Sequence, residues 1–158
     1  MRILTPLFLF FTLLACGEPT VQTKSDRLVA EARKQIGVTT TYDGSYVALK
    51  YPNGDVPMER GVCTDVVVRA LRKLDFDLQK LVHEDMKKHF SKYPKIWGLK
   101  GTDKNIDHRR VPNLRKYFER RGLAQKLTKD PANFKPGDLV TCKVPGNRPH
   151  IMIVSDKK

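Results

Sequence analysis

Apolar residues recur three and four positions apart in four stretches of this chain and alternate with polar ones only near its end. Leu28, Val29, Ala32 and Ile36 share a helical face after Ser25, which can cap the helix, and Gly37 is placed to stop it. Val66, Val67, Ala70, Leu71 and Leu74 form a second face, which puts Cys63 at a helix start. Residues 77–93 predict a third helix with Leu78, Leu81, Val82, Met86 and Phe90 inward, ended by Pro94. Pro112 opens a fourth through Leu114, Tyr117 and Phe118, and Gly122 closes it. Turn residues fill 39–57, which reads as an irregular or short-strand loop, and 97–110 reads as a second loop. The turn Pro136-Gly137-Asp138 precedes a strand at 139–144, and Pro145-Gly146-Asn147 leads through Arg148-Pro149 to a strand at 150–155. Helices first and strands last predict an α+β domain with its helices packed on a small antiparallel sheet.

With 158 residues, 40% of them hydrophobic and 30% charged, the chain is one domain's worth of sequence and neither a multi-span membrane protein nor a disordered one. It carries no internal repeat and no low-complexity tract. Three cysteines are too few for a disulfide-stapled framework, so each needs its own explanation.

Residues 1–15 hold one arginine, an apolar run over 7–14 and a small residue at Ala15, too short a stretch for a permanent membrane span. Leu13-Leu14-Ala15-Cys16 resembles a bacterial lipobox, which implies that Cys16 receives lipid and becomes the mature N-terminus. The competing reading is an ordinary signal peptide with a coincidental cysteine. Gly17, in place of Asp, resembles lipoproteins sent to the outer membrane, on its periplasmic face. The expected organisation is thus a signal peptide at 1–15, a tether at 16–24 and one domain at 25–158. Export also changes the meaning of the net charge of +13. Inside a cell it would suggest nucleic acid. In the envelope the polyanions are lipid headgroups and wall carboxylates, and a solvated basic surface competes with both.

A helix start offers a thiolate unpaired backbone N–H groups and the positive end of a dipole, which makes Cys63 a candidate nucleophile. A nucleophilic cysteine needs a base from elsewhere in the chain, and His150, leading the last strand, fits that role. The bland readings are a structural cysteine and a merely polar histidine. Cys142, alternating with Thr141 and Lys143, suits a small buried side chain, and a Cys63–Cys142 disulfide is the structural competitor to catalysis. His83 and His89 lack the spacing of a zinc-protease helix, where position 87 would have to be His and is Lys. His108 lies in a polar loop, where it either touches substrate or locks the loop by hydrogen bonds. No metal site, cofactor or dinucleotide fingerprint is expected.

Three segments carry a more specific likeness: Gly61-Val62-Cys63-Thr64-Asp65-Val66-Val67, the loop Asn105-Ile106-Asp107-His108-Arg109-Arg110-Val111-Pro112-Asn113-Leu114, and the pair Lys135-Pro136-Gly137-Asp138-Leu139-Val140 with His150-Ile151-Met152-Ile153-Val154-Ser155. Together they resemble an uncharacterised family of exported bacterial proteins, a domain of unknown function similar to the NlpC-type papain-like cysteine hydrolases. The likeness spans about 28–158. It implies a papain-like fold in which Cys63 attacks an amide carbonyl and His150 acts as base and then acid. Tyr42, Asp65 and His108 are the implied oxyanion and substrate residues, Tyr42 matching a superfamily tyrosine near the oxyanion site. The backbone N–H of Cys63 would be one oxyanion donor. The family continues beyond the His strand with strands that supply the residue orienting that His. This sequence stops at Lys158, so either an internal acid or amide takes that part or the version is C-terminally truncated and inactive.

The leading expectation is an envelope amidase or endopeptidase acting on peptidoglycan stem peptides or another envelope amide, held to the membrane by a lipid anchor and not a nucleic-acid binder. The alternatives are a non-catalytic envelope-binding module of the same fold and an acyltransferase working through the same thioester. The sequence leaves oligomeric state open.

Overall fold

A computed structural model of the chain describes residues 22–157. Helix α1 (Lys24–Arg33) begins two residues earlier than Ser25 would place it, because Thr23 and Asp26 form a reciprocal capping box: the Asp26 N–H donates to Thr23 Oγ1 at 3.1 Å and the Thr23 N–H to Asp26 Oδ2 at 2.9 Å. The two-residue strands β1 (Thr41–Tyr42) and β2 (Arg60–Gly61) pair in parallel, Tyr42 opposite Gly61. Helix α2 (Cys63–Arg72) follows directly. Helix α3 (Leu78–His89) is capped by Asp77 and runs into a 3-10 turn at Phe90–Lys92, and a second 3-10 turn, Asp107–Arg109, leads into α4 (Val111–Arg120) with Pro112 in its first turn. The last elements are β3 (Leu139–Val144) and β4 (Arg148–Ile153), an antiparallel hairpin in which Cys142 lies opposite His150.

The α+β expectation therefore holds in its coarse form, with two corrections. The antiparallel sheet is a single hairpin among the described residues, and the second small sheet is parallel. Strand β4 also starts at Arg148 and ends at Ile153, short of 155. Pro149 is tolerated because β3 is the only strand beside β4 among the described residues, so the ladder asks for no donor on its other side.

Helix α2 is the centre of the fold. Val67 and Val68 pack with Leu78, Val82 and Met86 of α3, Leu114 and Tyr117 of α4 and Ile151 of β4, while Ala70 and Leu74 pack with Leu28 of α1. Burying a large apolar side chain contributes about 1.5–3 kcal/mol, so these layers fix where both ends of α2 point. The irregular segment between α1 and α2 is organised by polar contacts instead. Arg69, buried on α2, donates to Asp55 Oδ2 at 2.9 Å, to Thr39 Oγ1 at 3.0 Å and to the carbonyls of Val56, Pro57 and Arg60 at 3.0–3.2 Å. Gln79, fully buried on α3, accepts from the Gly54 N–H at 2.9 Å and donates to the carbonyls of Lys50 and Lys104 at 2.9 and 3.2 Å. Gly54 is required there, since a Cβ would lie 2.0 Å from the Lys50 carbonyl oxygen.

Candidate functional site

Cys63 is the first residue of α2, so its N–H has no acceptor within the helix. Val62, the residue before it, has no side-chain acceptor, and the start is capped from one side only: Asp65 Oδ2 accepts the Val62 N–H at 2.7 Å. Gly61 makes room for that carboxylate, because a Cβ on it would fall 2.9 Å from Asp65 Oδ2. The Asp65 carboxylate is also gripped by Arg109, whose Nε and Nη2 donate to Oδ1 and Oδ2 at 2.9 Å each. The same guanidinium donates to the carbonyls of Ser45 and Asp43 at 3.0 and 3.1 Å, and the Thr64 hydroxyl donates to the Arg109 carbonyl at 2.9 Å. A planar fork matched to a carboxylate thus pins the start of α2 to the 3-10 turn and to the loop before β2.

A cavity of about 320 Å³ opens beside this helix start. Ala32 and Arg33 of α1, Ile36 in the turn after it, Cys63 and Val66 of α2, and residues 150–155 of β4 and its extension line it. The two candidate reacting residues, Cys63 and His150, are therefore brought to one cavity. Both are half-buried, and no hydrogen bond joins them or holds the His150 ring among the described residues. At the far end, Arg33 of α1 donates to Ser155 Oγ at 2.5 Å and pairs with Asp156, whose carboxyl that guanidinium holds below the usual carboxylate range.

The remaining predicted site residues are placed differently. Tyr42 is 76% exposed and is kept near the start of α2 by its pairing with Gly61, but it does not line the cavity. Asp65 is 3% exposed with both oxygens engaged in the clamp. His108 is 2% exposed, and burial lowers its imidazole to about 4, so it is neutral at neutral pH; its Nδ1 has no partner within the described protein. Neither Asp65 nor His108 reaches the cavity, and His108 does not lock its loop through Nδ1. Its neighbour Asp107 is 1% exposed, and burial raises its carboxyl to about 6 against the opposing pull of the Asp103 N–H, which donates to Oδ2 at 2.6 Å. Cys142 is exposed, not buried as its alternation suggested, and both Cys63 and Cys142 are free thiols. A second cavity, about 540 Å³, lies between Tyr46, His83 and the 99–105 loop and contains neither Cys63 nor His150. Among the described residues no three His, Cys, Asp or Glu side chains cluster as a metal site.

Reasoning from sequence missed Arg109 and Arg69. Both are arginines in a chain with 30 Lys and Arg, and nothing in their spacing separates a buried fork from a surface charge.

The sequence from residue 29 to residue 158 matches the family described as a domain of unknown function, DUF1287. The chain belongs to that family. Within reach of it, the uncharacterized protein YijF of Escherichia coli (strain K12) is 52% identical over 137 residues, which cover 86% of this chain and 67% of YijF. No solved structure matches the chain. The DUF1287 match takes in α2, the Asp107–Arg109 turn and the whole hairpin, so the clamp and both Cys63 and His150 fall inside it.

Proposed function

We propose that this DUF1287 domain is a papain-like cysteine hydrolase that cleaves an amide bond, in peptidoglycan stem peptides, at the periplasmic face of the outer membrane. The observation that carries the reading is the single cavity lined by both Cys63, at the start of α2, and His150. In the reaction the Cys63 sulfur attacks the carbonyl carbon while His150 takes the thiol proton. His150 then gives that proton to the departing amine, leaving a thioester on Cys63. Water, deprotonated by the same imidazole, adds to the thioester and releases the acid and the free thiol. The Cys63 N–H, unused by the helix, supports the carbonyl oxygen as negative charge develops on it. The lipid anchor at Cys16 and the signal segment at 1–15 that motivate the location lie outside the described residues.

The test is turnover of purified cell-wall peptides by the chain carrying Cys142→Ser. Cys63→Ala is expected to abolish it, and His150→Ala to lower it by about a hundredfold or more. Hydrolysis that survives Cys63→Ala rules the mechanism out. A second reading, a wall-binding module of the same fold without turnover, is favoured by the absence of any hydrogen bond orienting His150 among the described residues. It predicts retention on wall fragments that Cys63→Ala leaves unchanged and that salt weakens. Acyl transfer is separated from hydrolysis by following a labelled acyl group.

A further inference from the structure

From Met86 to Thr102 the chain has five lysines, Lys87, Lys88, Lys92, Lys95 and Lys100, and no carboxylate. Within that run the Gly98 N–H donates to the Lys95 carbonyl at 3.4 Å, a turn with Ile96 and Trp97 at its two corner positions. Such corners are ordinarily held by Gly, Pro, Asn, Asp or Ser, which fit the turn backbone or hydrogen-bond to it, and neither Ile nor Trp offers that. Here Ile96 is 66% exposed, Trp97 36% and Leu99 37%, and Lys92, Lys95 and Lys100 around them are exposed as well. The Arg110 guanidinium, itself 3.8 Å from Asp107 Oδ1, stacks on the Trp97 ring at 4.1 Å from its centroid, which holds the ring in place. Three exposed apolar side chains at a turn, one a tryptophan, flanked by Lys92, Lys95 and Lys100 in a run of sequence that holds no acid from 86 to 102, match the two needs of a bilayer interface: apolar groups for the headgroup boundary and positive charge for anionic lipid.

We propose that the 95–100 turn is a membrane-contact site for an anionic lipid surface. Ile96, Trp97 and Leu99 enter the headgroup boundary, and the surrounding lysines lie over the acidic headgroups. This is independent of any chemistry at Cys63, since the turn lines no part of that cavity. Trp97 is the only tryptophan in the chain, so its fluorescence reads this turn alone, even though the apolar run at 7–14 of the same full chain can itself partition into lipid.

The experiment adds vesicles of equal parts phosphatidylglycerol and phosphatidylcholine to the full chain. Trp97 emission is expected to shift to the blue and to be quenched by brominated acyl chains. The Ile96→Ser, Leu99→Ser double variant should lose the shift, and Lys95→Gln or Lys100→Gln should each weaken vesicle affinity about fivefold. All four positions are exposed, so thermal unfolding of the variants should match the parent. Unchanged Trp97 emission on vesicles that carry the chain down overturns the proposal. So does an equal shift on pure phosphatidylcholine, which removes the role of charge, or an equal shift with a soluble polyanion, which removes the role of the bilayer.

Discussion

The two sides of the α2 start are built on opposite plans. On one side the Asp65 carboxylate accepts three hydrogen bonds, Arg109 spends its fork on it and on two loop carbonyls, and Thr64 closes the ring. On the other side Cys63 and His150 face a cavity, and their side chains make no hydrogen bond among the described residues. The difference teaches that a tightly bonded carboxylate and an untied, cavity-facing thiol can stand two residues apart on the same helix start. The clamp fixes where the helix begins, and the neighbouring thiol is positioned without being tied.

The sharpest way to break this contrast is to remove one half of the clamp. Arg109→Met leaves the Asp65 carboxylate buried and unpaired, and it is expected to cost about 3–5 kcal/mol in urea unfolding. An effect under about 1 kcal/mol would show that Asp65 reaches solvent or another cation and that the clamp is not what fixes the helix.

A second prediction concerns the turn that carries Arg109. Burial raises Asp107 to about 6, so between roughly pH 4 and 6 the folded state holds a proton that the unfolded chain has lost, and this group makes stability fall as pH rises. Burial lowers His108 to about 4, so between roughly pH 4 and 6.5 the unfolded chain holds a proton that the folded state lacks, and this group makes stability rise with pH. Each displacement is worth about 3 kcal/mol when complete, and the two slopes oppose each other over nearly the same window. The chain is expected to show little net pH dependence from this pair. Asp107→Asn should expose a rising slope and His108→Gln a falling one in chemical unfolding at pH 4 to 6.5. Parallel profiles for both variants and the parent would mean that the two groups are not buried in their charged-averse state.

The smallest expected effect is on the cavity side. Cys63→Ser replaces a half-buried thiol that holds no hydrogen bond, and stability should change by less than about 1 kcal/mol, measured by the same unfolding. A loss comparable to that of Arg109→Met would make Cys63 a packing residue and remove the contrast.

Much of this architecture was legible in the chain. The three helices from Cys63 onward and the final hairpin follow from apolar spacing and from Pro and Gly at their ends, because those signals are local. Helix α1 was misplaced by two residues at its start, since the Thr23–Asp26 box outcompetes Ser25 and only its second member is in the first turn. Cys142 was misjudged because alternation shows which residues share a face of a strand and not which face the helices cover. A carboxylate three residues beyond Val62 is readable as a cap, but its partner lies 44 residues away, and no periodicity connects Asp65 to Arg109. Cys63 and His150 could be named as a pair from residue type and element position. That they line one cavity depends on α2 crossing β4, which is a matter of packing.

The guanidinium of Arg69 carries a consequence for the robustness of the fold. Chain between Thr39 and Arg60 converges on that one group through a carboxylate, a hydroxyl and four carbonyls, the Met58 carbonyl at 3.5 Å among them. Lysine at the same place offers three donors from a single point and cannot span acceptors spread around a plane. The stretch from Asp55 to Arg60 therefore has no redundancy at its hub: an exposed position such as Val47 is free to vary in sequence, whereas one conservative exchange at Arg69 would release the chain that leads into β2 and the start of α2, while Gln79 and Arg109 still hold Lys50, Gly54, Asp43 and Ser45.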